Sequence, residues 1–270
     1  MSTLTQYGRA VVKLAPFVGG GDALPTDTLE KTVAIDRSHL LAYQRVCGFR
    51  ASDVLPATYP HMLAFGLSMD LMTRLDFPFG VIGLVHIENE ATLLRRVTAD
   101  DTLEVSVHTA DLRDHDRGRQ FDVVAEARAG DETVWRSRST YLHRSGGGGG
   151  TGDKERTEPP APSAIWTVPG DTGRRYAAVS GDSNPIHMHS LSARLFGFPG
   201  AIAHGMWVKA RCLAALEGHL PEAYTVAVRF KLPMLLPAKA AFSSSATAQG
   251  REFAVHDARS GKPHAAGSVT

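Results

Sequence analysis

The stretch Tyr176 to Met206, Y-A-A-V-S-G-D-S-N-P-I-H-M-H-S-L-S-A-R-L-F-G-F-P-G-A-I-A-H-G-M, packs more chemically committed residues together than any other part of the chain. Ser180-Gly181 closes a helix, because glycine accepts the left-handed conformation common just past a helix end. Asp182-Ser-Asn184-Pro185 then favours a tight turn. Asp182 and His187 fall together on this irregular segment, and a carboxylate and an imidazole converging on one small molecule are what paired general acid/base chemistry requires. Farther on, Gly197 to Met206 sets glycines and a proline directly ahead of a long apolar helix. N–H groups at a helix start lack intrahelical acceptors and carry partial positive charge. Gly205, having no side chain, lets a carbonyl approach closely enough to use one of them as an oxyanion donor.

Working outward, the helix that opens near Ala203-His204-Gly205 runs to about Glu217 with no proline inside it. Strand-like runs follow at Tyr224 to Leu232, Ala238 to Ala248 and Glu252 to His256. Upstream, Thr172 to Ser180 has helical spacing with Thr172 as a candidate N-cap. The same order occurs earlier in the chain. Ser38 to Cys47 reads as a helix with Ser38 as its cap, and Pro60 to about Leu75 as a longer one. Strands follow at Asp101 to Thr109 and, split at Ala129-Gly130-Asp131, across Arg119 to Tyr141. Between the two series lies Ser145 to Pro162, where glycine, charge and then proline replace any hydrophobic period and predict a linker.

The halves also match in register. Tyr43 to Gly48 aligns with Tyr176 to Gly181 at an offset of 133, His61 with His204 at 143, and Leu93-Leu94 with Leu235-Leu236 at 142. A duplicated α+β fold is expected: residues 1–144 as an N-terminal repeat, 145–162 as linker and 163–270 as a C-terminal repeat, each with a sheet wrapping one central helix. Two such sheets can join edge to edge and so remove exposed edges. At these offsets Asp182 and His187 correspond to Phe49 and Val54, and Gly205 to Met62. The N-terminal repeat therefore keeps the fold without the acid/base residues, and its expected role is to complete the sheet and form part of a tunnel.

Composition narrows the function classes. The 270 residues are 43% hydrophobic and 21% charged with a net charge of +1, as in globular proteins, and give no global electrostatic reason for nucleic-acid binding. Trp135, Trp166 and Trp207 are too scattered for a base-stacking platform. No apolar run is long enough to span a membrane, and the first 21 residues are too broken for a signal-peptide core, so a cytoplasmic location is expected. Cys47 and Cys212 lack metal or redox spacing and read as small buried hydrophobes.

The run G-D-S-N-P-I-H (Gly181 to His187), then A-x-x-x-G-F (Ala193 to Phe198), then I-A-H-G-M (Ile202 to Met206), closely resembles the (R)-specific enoyl-CoA hydratase motif of MaoC-like dehydratases. The resemblance implies a hot-dog fold, here a double hot-dog. It also implies reversible hydration of trans-2-enoyl thioesters to (3R)-3-hydroxyacyl thioesters in fatty-acid metabolism. It makes Asp182 and His187 the acid/base dyad, Asn184 the organiser of their loop and Gly205 the oxyanion donor, with Phe198, Ile202, His204 and Met206 contacting substrate. Neither metal nor organic cofactor is implied. The partner is an acyl-CoA or acyl carrier protein thioester, with a homodimer of double hot-dogs as one option. Where the family usually has aspartate two residues after the loop histidine, this chain has His189; Ser190 can serve as the following helix cap instead.

Three rival readings stand beside this one. His187-x-His189 with Asp182 is a candidate metal site, although no further ligand cluster accompanies it. A non-catalytic acyl-thioester-binding subunit would lack the dyad, and a hot-dog thioesterase would lack the G-D-x-N-P-x-H run. His61 reads as a packing or hydrogen-bonding residue near a helix start. Arg95-Arg96 and Arg229-Phe-Lys231 suit either carrier phosphates or solubility.

Overall fold

The computed structural model describes residues 22–81, 83–144 and 159–270. The opening 21 residues, and the linker apart from its last four residues, lie outside them. The chain runs β1 (Leu29–Ala34), α1 (Arg37–Cys47), α2 (Tyr59–Met72), β2 (Leu84–Leu93), β3 (Thr102–His115), β4 (Gly118–Ala129) and β5 (Glu132–Arg144). It then repeats as β6 (Ala164–Val168), α3 (Thr172–Ser180), α4 (Pro185–Met188), α5 (Ser190–Leu195), α6 (Gly205–Leu216), β7 (Tyr224–Phe230), β8 (Ala238–Thr247), β9 (Gly250–Asp257) and β10 (Pro263–Val269).

One antiparallel sheet of ten strands holds both series, in the order β1-β3-β4-β5-β2-β7-β10-β9-β8-β6. Each half of that order mirrors the other, and β2 meets β7 at the middle, with Glu88 opposite Arg229 and Leu93 opposite Tyr224. The inner edges of the two half-sheets are thereby paired. This is the expected double hot-dog. Alternation along β3 and β4 sends Leu103, Val105, Val107, Phe121, Val123 and Ala125 inward, onto α2. The two long helices are apolar on more than one side, as a helix wrapped by a sheet must be. On α6, Met206, Trp207, Val208, Ala210, Cys212, Leu213 and Leu216 are all buried.

The two halves also lock through their helices. Tyr43 on α1 and Tyr176 on α3, equivalent residues, have ring centroids 6.2 Å apart. The Trp207 indole N–H donates to the Val46 carbonyl at 3.0 Å. Fully buried Lys209 on α6 donates to the backbone and side-chain oxygens of Asn89 on β2 and, at 3.0 Å, to the Val226 carbonyl on β7, thus spanning the seam. Cys47 and Cys212 are buried free thiols.

Several boundaries differ from the sequence expectations. Asp36, not Ser38, caps α1, accepting the Ser38 N–H at 2.8 Å, because a carboxylate one residue before the helix reaches two orphan donors. The cap position of α3 is Asp171, without a side-chain bond, and Thr172 is already helical. α2 ends at Met72, where the Thr73 hydroxyl donates to the Met69 carbonyl at 2.6 Å.

The repeat alignment is corrected beyond Gly48 and Gly181. The isolated bridges Val54–Thr98 and Ile202–Leu235 are equivalent, so Ile202 stands 148 residues after Val54 (202 − 54) and Leu235 stands 137 after Thr98 (235 − 98). That places His204 with Pro56 and Gly205 with Ala57, rather than with His61 and Met62. Leu235 likewise matches Thr98, not Leu93. The offset of 133 at the glycines grows to 148, and the extra residues contain α4 and α5.

Candidate active site

The site begins where α3 ends. Gly181 adopts φ 76°, and its N–H returns to the Ala177 carbonyl at 2.9 Å, so the chain leaves the helix axis directly before Asp182. The turn then fastens itself: the Asp182 N–H donates to Ser180 Oγ, and Asp182 Oδ1 accepts the Asn184 N–H, both at 3.2 Å. Asn184 in turn caps α4, accepting the Ile186 N–H at 3.3 Å, with Pro185 at the first helical position. One turn later stands His187. A Cβ on Gly173 of α3 would sit 2.1 Å from the His187 carbonyl oxygen, so α3 seats this loop at a distance that only glycine allows.

His187 Nδ1 lies 2.8 Å from the Ile202 carbonyl oxygen. A carbonyl only accepts, so Nδ1 carries the proton and Nε2 keeps its lone pair. His204, 3% exposed, stacks on His187 with centroids 3.6 Å apart and donates from Nε2 to the Asp182 backbone carbonyl at 3.0 Å. Its Nε2 is also 3.8 Å from Asp182 Oδ2. One ligand-type atom from each of Asp182, His187 and His204 lies within 4.8 Å of the others. Burial pushes the His187 pKa below the usual imidazole range, partly opposed by the Asp182 charge, and pushes His204 down to about 3, with His187 adding to the shift. Both rings are neutral near pH 7.

This trio opens on a cavity of about 210 Å³. Asp182, Asn184, His187, Phe198, Ile202, His204, Gly205 and Met206, all expected site residues, line it together. Gly205 begins α6, and no side chain caps that helix start. A Cβ on Gly205 would lie 3.0 Å from Phe230 Cε1, so its bareness lets the Phe230 ring close on the helix start. The N-terminal half supplies the facing wall, including His61, Met62, Phe65, His86 and Tyr141. Gly173 and the His204 stack were not singled out from sequence; their signal is spatial, with no local motif to betray it.

His189 is exposed and is not in the Asp182 cluster, so His204 replaces it as the second imidazole there. The expected cap at Ser190 does not form: Ser190 is helical, and its Oγ accepts the Ala201 N–H at 3.5 Å. Arg95, Arg96 and Arg229 are engaged in ion pairs with Glu132, Glu222 and Glu88 at 2.8, 2.8 and 3.0 Å, whereas Lys231 lines the cavity. No described helix is long and apolar enough to cross a membrane.

Comparison with known proteins identifies the family and the fold. The MaoC like domain family matches residues 151–266. The chain is 36% identical to 3-hydroxyacyl-thioester dehydratase X of Mycobacterium tuberculosis, over 99% of this chain and 98% of that one. It is 29% identical to 3-hydroxyacyl-thioester dehydratase Y of the same organism, over 80% of this chain and 74% of the other. The crystal structure of HtdX from M. tuberculosis superposes with a TM-score of 0.81 at 36% identity, covering 90% of this chain and 99% of that one. A MaoC-like dehydratase from Phytophthora Capsici, at 19% identity, shares the fold with a TM-score of 0.73 over 92% and 95% of the two chains.

Proposed function

Because this chain belongs to the MaoC-like dehydratase family, we propose that it hydrates trans-2-enoyl thioesters to (3R)-3-hydroxyacyl thioesters and runs the reverse dehydration, as a hydro-lyase of fatty-acid metabolism. One observation carries the reading: Asp182 and His187 meet within a few ångströms at a cavity, beside the uncapped start of α6. The two groups hold one water between them. As its oxygen adds to C3, the pair takes one proton from it and returns one proton to C2, so the elements of water are conserved across the double bond. His187 is suited to accepting, since Nε2 is a lone pair on a neutral ring. Negative charge grows on the thioester oxygen as C3 is attacked. The Gly205 N–H, at the positive end of α6, is the donor assigned to it, and one well-aimed donor of this kind is worth about 2.7–4 kcal/mol.

Asn184 holds the loop in register, and Phe198, Ile202, His204 and Met206 shape the pocket around the reacting carbons. The N-terminal half has no counterpart of the α4–α5 insertion and bears Phe49 where Asp182 stands in the other. We assign it no proton transfer; it completes the sheet and walls the acyl end of the cavity. Acyl-CoA or acyl carrier protein thioester is the substrate, a cytoplasmic site of action agrees with the two free thiols, and no metal enters the scheme. A purified-enzyme assay with trans-2-enoyl-CoA, following loss of enoyl absorbance with chiral analysis of the product, tests all of this. Release of free thiol without a hydroxyacyl product would point to hydrolysis, and tight binding with no turnover to a carrier subunit.

A further inference from the structure

Two hydrogen-bonding side chains of the N-terminal half face the cavity without a protein partner. His61, the third residue of α2, and Tyr141, on β5, both line it. Neither has a hydrogen-bond partner among the described residues, and neither is among the polar groups sealed away from water-sized space. Their nitrogens and hydroxyl are therefore open to whatever fills the cavity. They are also held in place. Tyr141 pairs across the ladder with His86 of β2, their rings 4.6 Å apart at 17°, and the His61 ring lies nearly parallel to that of His86 at 6.2 Å and 13°. Stacking occupies ring faces, so the hydrogen-bonding edges are what His61 and Tyr141 have left to offer.

The patch lies near the chemistry. His61, His86 and Tyr141 line the same cavity as Asp182, His187 and Gly205, so the three rings face the ligand that meets the dyad. Burial and the nearby Lys209 hold His61 neutral, down to about 4, which gives it one donor and one acceptor. A tunnel meant for plain hydrocarbon has no use for such groups. A methylene chain displaces water from an imidazole and a phenol and puts nothing in its place, which leaves both unsatisfied.

We propose that the acyl group taken by this cavity carries an oxygen function, a hydroxyl or a keto group, a few carbons beyond C3, bound between His61 and Tyr141. The proposal rests on the hydratase reading of Asp182 and His187 and names the substrate class within it.

The test uses the full chain and trans-2-enoyl-CoA esters of one length, either plain or bearing a single hydroxyl or keto group at successive positions from C5 outward. At one position kcat/KM exceeds that of the plain chain by about ten-fold or more, mainly through KM. Tyr141→Phe and His61→Leu each remove most of that preference and raise kcat/KM for the plain chain. Tyr141→Phe keeps the ring stack and deletes one oxygen, so its result does not hinge on refolding. Equal kcat/KM for every tail, or a preference untouched in both variants, overturns the proposal while hydration of the plain ester leaves the hydratase reading intact. Failure to hydrate any ester removes both.

Discussion

His187 enters the cavity uncharged, and its proton sits on the nitrogen that faces away from the reaction, because a backbone carbonyl at Ile202 takes the Nδ1–H. Removing either partner takes away a proton-transfer group and leaves the pocket intact. Asp182→Asn and His187→Gln are each expected to retain the fold and lower kcat by about 10²–10⁴-fold, read in the enoyl-CoA assay with circular dichroism as the folding control. Near wild-type turnover in either would remove the dyad. The direction of the His187 shift also fixes a limb of the pH profile. Its folded pKa lies below the ordinary 6.5, so the accepting form persists as pH falls through that value. The acid limb of kcat/KM belonging to this group is expected below 6.5, and one centred above 6.5 would contradict the assignment. Asp182 and His187 were legible in sequence because six residues of turn chemistry hold them both. His204 as the ring beneath His187, and the His61–His86–Tyr141 wall, were not. Those neighbours meet only after the chain has folded, across separations that no local spacing encodes.

At the scale of elements, the loop that bears the dyad owes its position to a glycine it does not contain. Gly173 lets α3 sit against the His187 carbonyl, and a methyl there would have to displace backbone, not a flexible tip. Gly173→Ala is therefore expected to push α4 outward and cut kcat by about 10²-fold through misplacement alone. Crystallography or amide exchange at residues 185–188 would locate the shift; unaltered kinetics would show that the loop position is not critical. The long helices and most strands were readable because each carries several periods of hydrophobic pattern. α4 and α5, with four and six residues, are shorter than two turns and carry no period to read. For the same reason the insertion between the halves was sized too small: matching His61 to His204 implies ten extra residues (143 − 133), where strand pairing gives fifteen (148 − 133).

Across the whole molecule, buried uncharged imidazoles make stability depend on pH. His61, His86 and His204 hold folded pKa values of about 4, 3 and 3, each through burial first, against 6.5 when unfolded. Between 6.5 and 4 the unfolded chain therefore binds protons that the folded chain refuses. Stability is fully present above 6.5 and is lost as pH falls toward the folded values, by about 1.4 kcal/mol per pH unit for each histidine. Lys209, pushed down to about 7 by burial, acts in the same sense at higher pH: the unfolded chain keeps a proton that the folded one releases, so stability goes on rising above 7. Urea unfolding at pH 5, 6, 7 and 8.5 measures the curve. A midpoint that climbs throughout is expected, and His86→Phe should flatten the acid portion, because it removes one such group while keeping a ring against Tyr141. A midpoint unchanged between pH 7 and 5 would mean that His86 and His204, whose Nε2 and Nδ1 are sealed from solvent here, are hydrated in the native state, and the cavity would then be wetter and wider than the packing around Tyr141, Phe230 and Met206 indicates.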